Sequence, residues 1–319
     1  MQNSKKVAKK KKKRSQAPIA LVYFAALSIC LVLIGGVVLT LFQKYDMLSL
    51  GGSNDDSYEG YTSKDCSTML FVRINSKNML NDMMIMRVDP TKDKVFLVPV
   101  SPYTVNVDTG KTLRQTLETQ GIGALTSSVS QCFGVDIDRY MTISNSAFEN
   151  ICDLLGGYTY TPSEDLYYLS GQADTEVNDI TLKKSKTETL MGRKIRLIMS
   201  YPVFSEGKQG NVKFMAGALE TMFKNAFSLP ESTKSNLDTL YQLASKKSDT
   251  NMTEKDYSKL KSVINDMLSR GVSPVVAYTP TGSWNEDETR FTVSETFREE
   301  LSNQFIPEVM AASSSSEDQ

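Results

Sequence analysis

The chain has 319 residues, 36 Lys/Arg against 37 Asp/Glu, and no histidine. That length is enough for one large or two small globular domains. The missing histidine excludes Ser-His-Asp and Cys-His nucleophilic catalysis, His-ligated zinc and imidazole pH switching, so acid–base chemistry falls to Asp, Glu, Lys or Tyr. The first 44 residues hold nine basic groups and no acid, which leaves 27 bases and 37 acids in the rest. Such an acidic body argues against nucleic acid as a partner, because phosphate binding needs a basic face.

In chain order, Lys5 to Arg14 reads KKVAKKKKKR, and Pro18 to Phe42 follows as 25 residues without a charge. About 20 apolar residues cross a bilayer as a helix. Basic residues before such a span hold the N-terminus in the cytoplasm. A cleaved signal peptide has a shorter apolar core and a small-residue cleavage site; here the span exits through FQKYDM. The sequence therefore predicts a basic cytoplasmic segment (1–17), a transmembrane signal anchor (18–42) and an extracytoplasmic body. The lysines are read as a topology signal in contact with anionic membrane lipid, not as a nucleic-acid arm. Residues 43–65 are a Gly/Ser/Asp-rich linker, 66–305 one domain, and 306–319 a disordered tail.

Within the domain, TMLFVRI (68–74) has strand character. DMMIMRVD (82–89) and KVFLVPV (94–100) flank the turn PTKD as a hairpin. Residues 111–132 form a helix candidate interrupted near Gly121 and Gly123. RYMTIS (139–144) is a strand. A helix from Ala147 to Leu155 is stopped by Gly156-Gly157. YTYTP (158–162) is a strand, and GRKIRLIMS (192–200) a helix or a strand. Apolar residues at 212, 215, 218, 219, 222 and 223 mark a helix over 211–227. Helices follow at 232–245 and 253–269, the second opened by Thr253 with Asp256 three residues on. VSPVVAYTP (272–280) is a strand, and Ser294 to Gln304 a final helix. The alternation predicts an α/β, three-layer sandwich with a central mixed β-sheet flanked by helices, plus the N-terminal membrane helix. Cys66, Cys132 and Cys152 lack metal or redox spacing. Cys132 and Cys152 are read as small core residues, with a mutual bridge as the alternative.

Several of these segments, in this order, resemble the LytR-CpsA-Psr family of bacterial envelope proteins. TMLFVRIN…NDMMIMRVDPTKDKVFLVPV (68–100) resembles the family's opening strand and its "SDTMM…P…S-I-P" segment. GVDIDRYMTISNSAFENICDLLGGYTYTPSEDL (134–166) resembles the "GIPIDHYV…GGV-x-V-x-V-P" segment, and LMGRKIRLIMSYP (190–202) the "LNGEQALAYVRSR" segment. The resemblance implies transfer of a glycopolymer from a polyprenyl-pyrophosphate carrier to peptidoglycan outside the bacterial cell membrane. The lipid tail would lie in an apolar tunnel. The pyrophosphate would be held by arginines and by a divalent cation, Mg²⁺, on aspartates.

Carried over residue by residue, the match is incomplete. The aspartate of "SDTMM" is Asp82, the weak catalytic and metal-ligand candidate. The aspartate after the first strand is replaced by Asn75, with Lys77 just beyond. The arginine loop is replaced by LVPVSPYT (97–104), and the arginine of "YVRSR" by Ser200. SEGKQGNVKF (205–214) puts Lys208 at the first arginine of another family motif and Asn211 or Lys213 near the second, with Glu206 a further weak catalytic candidate. Lys77 and Lys208 are thus the phosphate-binding candidates, although solvated loop lysines are the blander account. Lysine lacks the planar fork that binds a phosphate through two hydrogen bonds. Each lost contact to a transition state costs about 2–4 kcal/mol. The expectation is a catalytically degraded member that binds lipid or polyprenyl-linked glycopolymer in envelope assembly. The alternative is an active transferase with a rewired site. Arg73 and Arg87 alternate with apolar neighbours on strands, and either faces water or pairs with an acid.

Overall fold

The computed structural model describes residues 60–169 and 179–307. The expected basic segment and membrane helix, the linker up to residue 59 and the tail from residue 308 lie outside the described residues. Among the described residues no helix is long and apolar enough to cross a membrane.

Strand β1 (Ser67–Ile74) turns through Asn75 into β2 (Leu80–Asp89), and the PTKD turn leads to β3 (Lys94–Val100). After a loop comes α1 (Leu113–Phe133), opened by a reciprocal cap: the Thr112 hydroxyl accepts from the Gln115 N–H at 3.2 Å, and the Gln115 side chain accepts from the Thr112 N–H at 2.9 Å. The interruption expected in this helix is a kink at Gly121, whose φ of 80° suits a residue without a Cβ. Strand β4 (Arg139–Ser144) and α2 (Asn145–Leu154) follow, and Gly156 and Gly157 end the helix with positive φ. Four short strands, β5 (Tyr158–Tyr160), β6 (Leu166–Tyr168), β7 (Ile180–Leu182) and β8 (Glu188–Leu190), form the antiparallel pairs β5–β8 and β6–β7 apart from the main sheet. The ambiguous 192–200 stretch is helix α3 (Gly192–Ile198). Then come α4 (Lys208–Ser228), α5 (Pro230–Ser245), α6 (Glu254–Ser269), β9 (Val275–Ala277), β10 (Gly282–Trp284), β11 (Phe291–Val293) and α7 (Glu295–Phe305).

The main sheet has the order β4-β1-β2-β3-β9. Its two inner joins are antiparallel, and β4 and β9 add parallel at the edges. It is therefore a mixed sheet flanked by helices. Strand periodicity splits the core in two. Met84, Met86 and Val88 pack with α2, α3, α4 and α6 on one face. Met83 and Ile85 pack with Leu125, Phe133 and Leu301 of α1 and α7 on the other. A one-residue slip of β2 would exchange the two sets, so the register is firmly specified. Cys132 lies in one core and Cys152 in the other, and both are free thiols, as is Cys66. The sheet between them rules out the alternative bridge. The core reading of both cysteines holds.

Candidate functional site

Two cavities meet where β2 begins. One is a polar pocket of about 230 Å³ walled by Asn81 and Asp82, the Pro99–Tyr103 loop, Arg114 of α1, Ser200 after α3, and Lys208 and Asn211 of α4. The other is an apolar cavity of about 220 Å³ between the sheet and helices α2, α4, α5 and α6. Its walls include Met69, Phe71, Phe148, Leu219, Met222 and Phe223. Asp82 and Met215 belong to both walls. Helix α4 serves both spaces: Lys208, Asn211, Val212 and Met215 line the polar pocket, and Met215, Leu219, Met222 and Phe223 the apolar one. That stripe follows the three-and-four spacing of a helix face.

Asp82 faces Arg73 across the β1–β2 pair. Arg73 Nε donates to Asp82 Oδ1 at 2.9 Å, and Nη2 donates to Oδ2 in a second, tighter contact. Arg73 Nη1 donates to Asn145 Oδ1 at 2.6 Å, and the guanidinium carbon lies 5.1 Å from the centre of the Phe148 ring. The Arg73 side chain is 2% exposed and that of Asp82 14%. This is a two-pronged ion pair with a buried guanidinium and a mostly covered carboxylate. Arg87 is also paired with an acid: its Nη2 donates to buried Asp89 at 3.0 Å.

The pocket floor is set by the loop after β3. Ser101 closes its turn, its hydroxyl accepting from the Tyr103 N–H at 3.2 Å and its carbonyl from the Thr104 N–H at 3.1 Å. Tyr103 then carries two cations. The Arg114 guanidinium carbon lies 5.0 Å from its ring centre and Lys208 Nζ 5.4 Å. Arg114 Nη2 donates to the Leu80 carbonyl at 3.1 Å, while its Nε is buried without a hydrogen-bond partner. Neither the Arg114 nor the Lys208 side chain is in an ion pair among the described residues, although the Glu288 carboxylate accepts from the Lys208 backbone N–H at 3.1 Å. Asn211 ties Met199 and Tyr201 through its amide N–H groups, at 3.1 and 2.9 Å, and its Oδ1 is buried and unbonded. An anion with hydroxyl or phosphate groups would satisfy these donors and this acceptor.

Of the residues singled out in the sequence, the structure brings Asp82 and Lys208 to one pocket. Glu206 lies outside it, paired with Lys213, both about half exposed. Lys77 sits on the β1–β2 turn and lines neither cavity. Asn75 shapes that turn, its Oδ1 accepting from the N–H of Lys77 at 2.8 Å and of Met79 at 3.0 Å. Arg114 escaped the sequence reading. The signal for it was present: the Thr112–Gln115 cap fixes a helix start directly after the LVPVSPYT loop, and Arg114 is the cation in its first turn.

Comparison with known proteins agrees with this architecture. The model of the LytR_cpsA_psr family matches residues 65–306. The chain belongs to that family. Among solved structures, a protein from Eubacterium siraeum superposes with a TM-score of 0.68 at 18% identity, covering 80% of this chain and 96% of its own. TagV of B. subtilis gives 0.54 at 16% identity, covering 75% and 95%. TagT, solved bound to LIIa-WTA, gives 0.56 at 14% identity, covering 81% and 96%. At such identities the likeness is one of fold. No curated protein sequence matches the chain.

Proposed function

We propose that this LytR_cpsA_psr protein works in cell-envelope assembly at the outer face of a bacterial membrane, anchored by residues 18–42. It binds a polyprenyl-linked glycopolymer there, without efficient transfer to peptidoglycan. The observation that carries the reading is the apolar cavity opening beside a cationic pocket, with Asp82 and Met215 as common wall. An apolar tail with a phosphate at one end is the ligand class such a pair of spaces suits. TagT, which shares the fold, has been solved bound to LIIa-WTA.

An engineered apolar cavity of about 150 Å³ holds benzene. By that scale a cavity of about 220 Å³ takes roughly nine carbons. A polyprenyl tail is longer, and its remainder would leave by a groove that shares Leu155, Ala226, Thr233 and Leu240 with the cavity and is rimmed by exposed Leu154 and Leu229. Transfer by the route the family resemblance implies needs a carboxylate free to hold a metal. Asp82 is held by Arg73, and Glu206 lies outside the pocket. Arg114, with its unbonded Nε, favours the second reading, a transferase with a rewired site.

Two measurements test the proposal. Mass spectrometry of lipid extracted from the full-length chain is expected to find an isoprenoid phosphate, lost in Leu219→Trp. Incubation with a polyprenyl-pyrophosphate saccharide and Mg²⁺ is expected to release no polyprenyl phosphate. Release that vanishes in Asp82→Ala would establish the transferase instead.

A further inference from the structure

The family resemblance implies a divalent cation held on aspartates, and the residues at this position do not fit one. Both Asp82 oxygens accept from Arg73. The second expected aspartate is Asn75, whose carbonyl oxygen is committed to two backbone N–H groups of its own turn. Among the described residues no group of three or more Asp, Glu, Cys or His side chains is placed to hold a metal. A metal at Asp82 would have to break a doubly hydrogen-bonded ion pair and leave the Arg73 guanidinium, itself buried, without a carboxylate, which is costly.

We propose that Arg73 is a resident cation standing in for the metal, so that this site takes its phosphate-bearing ligand without any divalent ion. The proposal rests on the ligand reading above. Among the side chains lining the two cavities here, Arg73, Arg114 and Lys208 set three positive charges against the carboxylate of Asp82, and counting Glu288, which accepts from the Lys208 N–H just outside the lining, the neighbourhood still carries an excess of one positive charge. That excess attracts a phosphate without further help. The fixed geometry of Arg73 strengthens the case. Three of its five N–H donors are bonded, two to Asp82 and one to Asn145, and Phe148 lies against the guanidinium. A bound Mg²⁺ would need oxygens in near-octahedral array. Here the oxygens of Asp82 and Asn145 already converge on nitrogen donors, with Asn81 Nδ2 also donating to Asn145 Oδ1 at 3.0 Å.

The test uses the full-length chain in detergent, with farnesyl phosphate as ligand probe and Mn²⁺ as metal probe. Binding of farnesyl phosphate is expected to change by less than twofold between millimolar Mg²⁺ and EDTA. Free Mn²⁺ read by electron paramagnetic resonance is expected to fall no further with the wild-type chain than with Asp82→Asn, whose fold is checked by circular dichroism. An affinity that drops tenfold in EDTA overturns the proposal. So does one additional equivalent of Mn²⁺ sequestered by the wild type. Should farnesyl phosphate bind in neither buffer, the ligand reading fails, and the Mn²⁺ titration of the wild type still decides whether a metal is held.

Discussion

Replacing Arg73 by Met leaves the mostly covered Asp82 carboxylate, on the common wall of the two cavities, without its guanidinium. Removing one partner of such a pair costs about 3–5 kcal/mol, because the remaining charge is desolvated and unpaired. The exposures, 2% for Arg73 and 14% for Asp82, leave water little room to compensate, although Asp82 borders the polar pocket, so the low end of that range is expected. Asn145 loses a donor at the same time, though Asn81 still bonds it. Each kcal/mol moves the midpoint by about 2–4 °C in a domain of this size, so a drop of about 10 °C is expected for Arg73→Met, and a comparable one for Asp82→Leu. The double variant Arg73→Met/Asp82→Leu removes both charges and is expected to recover most of the loss, within about 1 kcal/mol of wild type. Thermal unfolding followed by near-ultraviolet circular dichroism reads all four corners of the cycle. A single variant that loses less than about 1 kcal/mol, or a double variant that simply sums its singles, would refute the claim that the two charges are coupled and shielded from water.

Arg114→Leu and Lys208→Leu are each expected to weaken farnesyl phosphate binding about tenfold or more, since a hydrogen bond to a charged group contributes about 1.5–3 kcal/mol; titration calorimetry measures this, and unchanged affinity in both removes the mouth from the binding site. The Arg139 guanidinium, bonded to Asp256 at 2.8 Å through both Nε and Nη2, holds that carboxyl well below its ordinary range, helped by the Thr253 N–H. Its folded value is depressed, so the stability it contributes is full above the ordinary carboxylate range and drains away as pH falls through and below it. Asp256→Asn should therefore flatten the acid limb of a stability–pH curve and lower its neutral plateau. Burial pushes the Cys132 thiol up to about 12, and Cys152 is also raised by burial. Both should resist alkylation at pH 8 until the chain is unfolded, and rapid labelling of both in native buffer would contradict the packing described.

Much of the fold was legible because its signals are local. Strands β1 to β4 announce themselves by apolar runs and the PTKD turn. Helices α2 and α6 do so by Gly156-Gly157 and by the Thr253–Asp256 cap. The pairs β6–β7 and β10–β11 were not, since three-residue strands such as Gly282–Trp284 carry no periodicity and exist only through their partners. The site divides in the same way. The LVPVSPYT loop, Asp82 and Lys208 follow from chain order. For Arg73 the sequence allows either water or an acid, because only the cross-strand register with Asp82 decides it. Glu206 and Lys77 look equivalent to Lys208 in sequence and are separated from it only by where their turns point in space.

Helix α4 has a mechanical meaning. From Lys208 to Met222 it rises roughly 20 Å at 1.5 Å per residue, and this one rod lines both the polar pocket and the apolar cavity, so it would touch both ends of the proposed amphiphile. A tailless phosphate or a phosphate-free hydrocarbon engages only half of the rod. A molecule bearing both ends gains the second contact as an intramolecular event, so its affinity should exceed what either fragment suggests. Length then becomes a selection rule. The spacing between phosphate and the first apolar units is gauged against the turns of a single helix, with no loop between them to absorb a mismatch.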